Sequence, residues 1–154
     1  MEYKQSAAVS EGGRRVKGND MTKKELAAMY HSRGCNCCQS VVLAFADDLG
    51  LDKEMVQKMG EAFGAGMGGM QGTCGALSGA MILTGLKNSD GNTESPKTKG
   101  GTYKIARAMH EQFREQAGST ICKELKGVET GKVLMPCPAC IDLAVELAEQ
   151  MLAE

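Results

Sequence analysis

Apolar side chains first recur at helical intervals after Thr22. Leu26, Met29 and Tyr30 share one stripe, and Thr22 with Glu25 has the spacing of a capping box. A first helix is predicted to about Arg33, stopped by Gly34. From Cys37 to Leu49 the stripe is Val41, Val42, Phe45 and Leu49, with Gly50 as terminator, which predicts a second helix. Asp52 then caps a short third helix through Met55, Val56, Met59 and Phe63. The segment Gly64–Gly72 carries glycine at 64, 66, 68, 69 and 72 and cannot sustain a helix. It predicts a loop in which backbone approaches a neighbour closely.

Cys74 to Leu86 follows, with the small residues Gly75, Ala76, Gly79 and Ala80 near helical spacing, the pattern of a buried central helix against which a neighbour packs tightly. Asn88 to Gly101 is polar and broken by Pro96, a surface loop. Ile105, Met109 and Phe113 define a helix over about 102–116, and 120–125 adds a turn bearing Cys122. Ile141, Val145, Leu147, Ala148, Met151 and Leu152 define a last helix over about 138–152. No alternating strand pattern occurs. The expected fold is all-α, a compact bundle of about five to six helices with a Gly-rich loop before the central helix. Residues 1–20, with Gly12, Gly13, Arg14, Arg15, Lys17 and Gly18, are expected to form a flexible tail ahead of a single helical, cysteine-rich domain over 21–154.

The length of 154 residues suits one domain, and 42% hydrophobic with 24% charged residues suits a packed core. Lys and Arg total 18 against 19 Asp and Glu, a net charge of −1, so no positive field exists to hold nucleic acid. No apolar run has the roughly 18–20 residues of a membrane span, and the amino terminus lacks the apolar stretch of an export signal. A cytoplasmic location without membrane contact is expected. Aromatic residues are scarce at 4% and Trp is absent, whereas 7 Cys and 11 Met place the chemistry in sulfur. Seven thiols cannot all pair internally, and clustered thiols in a reducing compartment bind metal or do redox work.

Nearly all of Cys35, Cys37, Cys38, Cys74, Cys122, Cys137 and Cys140 fall at or beside a predicted helix start, where unpaired N–H groups and the helix dipole favour a thiolate. Cys137-Pro138-Ala139-Cys140 is the clearest pair, with Cys137 at the cap and Pro138 at the first helical position. Such a CxxC serves as a dithiol switch, half of a zinc site or part of an iron–sulfur site. Cys35 and Cys38 make a second CxxC, so a four-thiolate zinc site is a rival. Met67 and Met70 have the softness for Cu(I), but core filling accounts for methionine in so aromatic-poor a chain. His31 and His110 read as solvated, as do Asp47 and Asp48. The GAGMGG segment follows no strand and fails as a dinucleotide loop. Its glycines suit close backbone approach to a sulfur centre, and Gly66, Gly72 and Gly75 are the positions expected to line it.

Asn36-Cys37-Cys38-Gln39-Ser40-Val41, Ala62-Phe63-Gly64-Ala65-Gly66-Met67-Gly68, Thr73-Cys74-Gly75-Ala76-Leu77-Ser78-Gly79, Ile121-Cys122-Lys123-Glu124-Leu125 and Cys137-Pro138 follow one another in an order that resembles the C_GCAxxG_C_C family, whose name asserts redox activity. The resemblance spans about 22–152. It implies that Cys37, Cys74, Cys122 and Cys137 are the family cysteines and metal ligands, and that Cys35, Cys38 and Cys140 are additions. This part is similar to the cysteine-bearing domain of split-Soret cytochromes, which implies an iron–sulfur cluster. No CxxCH occurs, so covalent c-type haem is excluded in this chain. The expected function is electron transfer or redox sensing by a cysteine-ligated iron–sulfur centre, with a redox protein or a small-molecule electron donor or acceptor as partner. A homodimer is left open. The alternatives are a thiol–disulfide oxidoreductase using Cys137 and Cys140, and a zinc or metal-binding module without turnover.

Overall fold

The computed structural model describes residues 20–154 and, before them, only two two-residue strands, β1 (Ala8–Val9) and β2 (Arg15–Val16), which pair antiparallel. The expected flexible tail falls otherwise on residues outside those described. Eight α-helices follow: α1 (Lys23–Ser32), α2 (Cys37–Ala44), α3 (Ala46–Leu49), α4 (Lys53–Gly60), α5 (Gly75–Asn88), α6 (Lys99–Ala117), α7 (Cys122–Lys126) and α8 (Cys137–Ala153). The all-α class holds, but the expected count of five to six is too low.

Two local events raise the count. The run from Cys37 to Leu49 divides at Phe45, whose N–H reaches back only three residues to the Val42 carbonyl at 3.1 Å while its ring sinks into the core. The turn around Cys122 is a helix in its own right, closed by Gly127 at φ +68°. Helix α6 also begins at Lys99, inside the segment expected to be loop. Gly100 and Gly101 are tolerated there because the first turn contributes few backbone hydrogen bonds.

Helix α5 is the axis of the bundle, packed on α2, α8 and α6, while α1 closes over α2 and α8. Its small residues make this possible. A Cβ on Gly79 would stand 2.8 Å from the Cys38 carbonyl oxygen and 3.0 Å from Val41 Cβ, so α2 sits directly on the α5 backbone. On either side of Gly79, Leu77 and Leu83 join Phe45, Phe113, Ile141 and Val145 in one apolar core.

The starts of the helices are set by named contacts. Thr22 Oγ1 accepts the Glu25 N–H at 3.1 Å, and Asp52 Oδ1 accepts those of Glu54 and Met55 at 3.0 and 3.3 Å. Asn36 and Gln39 close a reciprocal cap on α2, Asn36 Oδ1 accepting from the Gln39 N–H at 2.9 Å and Gln39 Oε1 from the Asn36 N–H at 2.8 Å. Their amide groups also reach the end of α4: Asn36 Nδ2 donates to the Gly60 and Glu61 carbonyls, and Gln39 Nε2 to the Gln57 carbonyl at 2.7 Å. These bonds hold the Cys37 turn against α4. Between α4 and α5 the chain makes a tight turn over Glu61–Phe63 and a wide one over Gly66–Met70, with Ala65, Gly66, Met67, Gly68 and Met70 all at positive φ.

Candidate functional site

Three backbone links bring the thiol-bearing segments to one pole. The Cys74 N–H donates to the Thr120 carbonyl at 2.7 Å and the Cys122 N–H to the Gly72 carbonyl at 3.0 Å, an antiparallel bridge between Thr73 and Ile121 that ties Cys74 to Cys122. The N–H groups of Leu134 and Met135 both donate to the Leu125 carbonyl, at 2.9 and 3.3 Å, so the chain enters α8 beside α7. The Cys140 N–H then bonds the Pro136 carbonyl at 3.0 Å. Cys137 is the first helical residue of α8, with Pro136 as the cap, one position later in the helix than expected.

The result is a set of five interacting thiols, Cys37, Cys74, Cys122, Cys137 and Cys140, with one cation, Lys126. The Cys140 thiol donates to the Met135 carbonyl at 3.6 Å and lies beside the Cys74 sulfur. That neighbour first, then the N–H groups of Leu77 and Ala76 and the nearby Lys126 charge, lower the Cys74 pKa to about 7 against the opposing pull of burial. Cys140 is driven the other way, first by its place beside Cys74 and then by burial. Burial, with the neighbouring sulfurs of Cys137 and Cys74, pushes Cys37 up to about 12. Cys122 is raised by burial, with Lys126 opposing. Burial works against the Lys126 ammonium, yet the sulfurs of Cys137, Cys122 and Cys37 outweigh it and hold the lysine above its usual range.

The three glycines singled out from the sequence lie against these segments. A Cβ on Gly66 would stand 2.5 Å from Cys122 Cβ and 3.4 Å from its sulfur, and Gly66 holds φ +58°, so both space and conformation require glycine. The Gly72 carbonyl is the acceptor for Cys122. Gly75 lies against Cys37, with a would-be Cβ 3.4 Å from Cys37 Cβ and 3.1 Å from the Phe63 carbonyl oxygen.

Cys35 and Cys38 take other partners. Cys35 Sγ donates to Gln57 Oε1 at 3.6 Å, and Cys38 is fully buried next to Gly60, where burial raises it to about 12. The two CxxC motifs therefore do not face each other as a four-thiolate zinc site requires. Among the described residues no three Cys, His, Asp or Glu side chains converge closely enough to hold a single metal ion. Nor do Cys137 and Cys140 bond each other: both are free thiols, and that of Cys140 donates to the Met135 carbonyl at 3.6 Å.

Other candidates separate in the same way. Asp47 and Asp48 pair with Lys53 and Lys23 at 3.0 and 2.6 Å at the surface. Met67 is exposed. His110, expected to be solvated, is half-buried and lines a cavity of about 350 Å³ with Thr73, Ser78, Phe63 and Met81. Lys126 went unnoticed in the sequence, although its place four residues after Cys122 on one helix puts both on the same face.

A small helical bundle that gathers cysteines from four separate segments around one cation defines a cysteine-centred redox class of protein. The comparison with known families agrees: residues 35–151 match the family described as "Putative redox-active protein (C_GCAxxG_C_C)", and the chain belongs to it. The central element here reads Cys74-Gly75-Ala76-Leu77-Ser78-Gly79, with cysteine before glycine where the family's name places glycine first. No curated protein and no solved structure matches the chain. No helix among the described residues is long and apolar enough to cross a membrane.

Proposed function

We propose that the thiol pole holds an iron–sulfur cluster through Cys37, Cys74, Cys122 and Cys137 and that the protein transfers electrons or senses redox state through it. The observation that carries this reading is the meeting of four family cysteines, from four segments distant in sequence, around Lys126. The donor set fits the group. Cluster ligands are thiolates spread more widely than those of a single ion, and four of them at one pole need a compensating positive charge. When bound, the cluster supplies one-electron chemistry. The chain's own residues do the rest: the N–H groups of Ala76 and Leu77 and the Lys126 ammonium stabilise sulfur charge, and Gly66, Gly72 and Gly75 leave room for backbone to line the centre. The partner is a redox protein or a small-molecule electron carrier.

The test is anaerobic reconstitution of the full chain with ferrous iron and sulfide, followed by gel filtration and by iron, sulfide and absorption measurements. The expected product is brown, retains iron and sulfide together and bleaches with dithionite. Cys74→Ser is expected to lose the bound iron, and Cys35→Ala to keep it. A colourless product, or full iron content in Cys74→Ser, ends the reading.

A further inference from the structure

We propose that the cavity between Phe63 and His110 binds a small, uncharged ring compound of the quinone class through its carbonyl oxygens. The inference rests on the reading above that a small-molecule electron carrier is the partner, and it names the chemistry of that carrier. The cavity, of about 350 Å³, lies between α5, which supplies Ser78, Met81 and Ile82, and α6, which supplies His110, with Phe63 and Thr73 completing its wall. Three polar side chains line it, those of Thr73, Ser78 and His110, and none of them has a hydrogen-bond partner among the described residues. Ser78 carries the argument, because it exposes only 7% of its surface. Elsewhere in the bundle a buried helical hydroxyl turns back on its own helix: Ser40 Oγ donates to the Asn36 carbonyl at 2.7 Å and Thr84 Oγ1 to the Ala80 carbonyl at 2.8 Å. Ser78 makes no such bond to the Cys74 carbonyl four residues back, and its hydroxyl lines the cavity instead. A buried donor without a partner calls for an acceptor, and a ligand in the cavity supplies one.

The rest of the lining selects the class. No carboxylate, ammonium or guanidinium stands on the wall, so an anionic carrier such as a flavin phosphate finds no countercharge there. Phe63, Met81 and Ile82 offer an aromatic face, a thioether and a branched aliphatic chain, surfaces that pack on a flat ring. Two hydroxyls and an imidazole N–H are donors suited to carbonyl oxygens at the edge of that ring. A quinone joins these features, an apolar ring with carbonyl oxygens and no charge, and it carries electrons. The location fits the redox reading. Thr73 precedes Cys74, and its bridge to Ile121 ties this part of the wall to the segment that bears Cys122. The wall is also fixed without a ligand: the Cys74 N–H is bonded to the Thr120 carbonyl at 2.7 Å, and the Phe63 carbonyl oxygen lies 3.1 Å from where a Cβ on Gly75 would stand.

The test is a titration of the full metal-free chain with duroquinone, whose ring carbons are all substituted and add no thiol, followed by proton NMR of the imidazole signals. The chain has two histidines, and His31, on α1 and outside the cavity lining, is the internal control. The His110 signal is expected to move to saturation and to return on dialysis while the His31 signal stays. p-Xylene, a methylated ring without carbonyls, and flavin mononucleotide, an anionic carrier, are each expected to bind more weakly by about tenfold or more. Ser78→Ala, checked for helical content by circular dichroism, is expected to weaken duroquinone binding by about tenfold. A His110 signal that does not move, or undiminished binding in folded Ser78→Ala, overturns the site. Binding of p-xylene or flavin mononucleotide as tight as that of duroquinone overturns the class. The comparison of ligands on the unsubstituted chain decides even if the variant fails to fold. Reconstitution answers for the cluster separately: duroquinone binding in a chain that takes up no cluster would end that reading and keep this one, and a brown chain that binds no duroquinone would do the reverse.

Discussion

The two ends of α5 are built from the same helix on opposite principles. At its start, Cys74, Gly75, Ala76 and Gly79 are small enough for the Cys37 turn to rest on the backbone, and what fills the space is sulfur. At its finish, Leu83 is fully buried, Thr84 Oγ1 returns its proton to the Ala80 carbonyl at 2.8 Å, and Lys87 Nζ donates at 2.6 Å to each of the carbonyls of Met151 and Glu154 at the end of α8. The second end is held by apolar burial, with its buried polar side chains hydrogen-bonded. The first end draws less from burial because it has less apolar surface to hide, and it keeps several ionisable thiols out of water. Stability and chemistry are thus divided along about 20 Å of one helix.

Substitutions that act on one end alone sharpen the contrast. The largest effect is expected from Leu83→Ala, which leaves a cavity in the core and costs about 3 kcal/mol in urea unfolding while leaving retention of iron and sulfide after reconstitution unchanged. Gly79→Ala comes next. Its new methyl meets the Cys38 carbonyl oxygen and Val41, and the forced separation of α2 from α5 costs about 2 kcal/mol and weakens retention of iron and sulfide after reconstitution.

Alkaline pH separates the ends without a substitution. Cys37 and Cys38 both have pKa values raised to about 12 in the folded chain from an ordinary 9.0. Folding then favours the proton-bound forms. Their contribution is complete below pH 9 and is lost as pH rises from about 9 towards 12. The metal-free chain is expected to lose about 2 kcal/mol between pH 9 and pH 10, about 1 kcal/mol from each of these two thiols, and Cys38→Ala to lose about 1 kcal/mol less over the same interval, both read from urea midpoints. A flat profile in the unsubstituted chain would remove the distinction. The smallest effect has the opposite sign. Gly85, on the same helix as Gly79, has nothing within 4 Å of a would-be Cβ, so Gly85→Ala is expected to stabilise by about 0.5–1 kcal/mol, seen as a higher thermal midpoint.

How far the sequence carried depended on whether a feature is local. Thr22, Asp52 and the stripe of Ile141, Val145 and Ala148 announced helices because capping and amphipathic periodicity act within a few residues, and those helices are present. The break at Phe45 and the start of α6 at Lys99 did not show, since burial of one ring and tolerance for glycine in a first turn are settled by surroundings. The same divide runs through the site. Spacing and resemblance singled out Cys37, Cys74, Cys122 and Cys137, and residues 35–151 carry the family's pattern.

By itself, then, the sequence determined the all-helical class, most helix starts, the scarcity of aromatic residues that leaves sulfur as the reactive element, and the family of redox-active proteins to which the chain belongs. Only the tertiary structure decided which thiol meets which. Proximity along the chain suggested that Cys137 pairs with Cys140, but a helix carries residues three apart side by side along its surface, where each meets whatever packs opposite. The fold ties Cys74 to Cys122 through the hydrogen bonds that join Thr73 to Ile121, binds α7 to the entry of α8, and gives the Cys140 thiol the Met135 carbonyl as its acceptor.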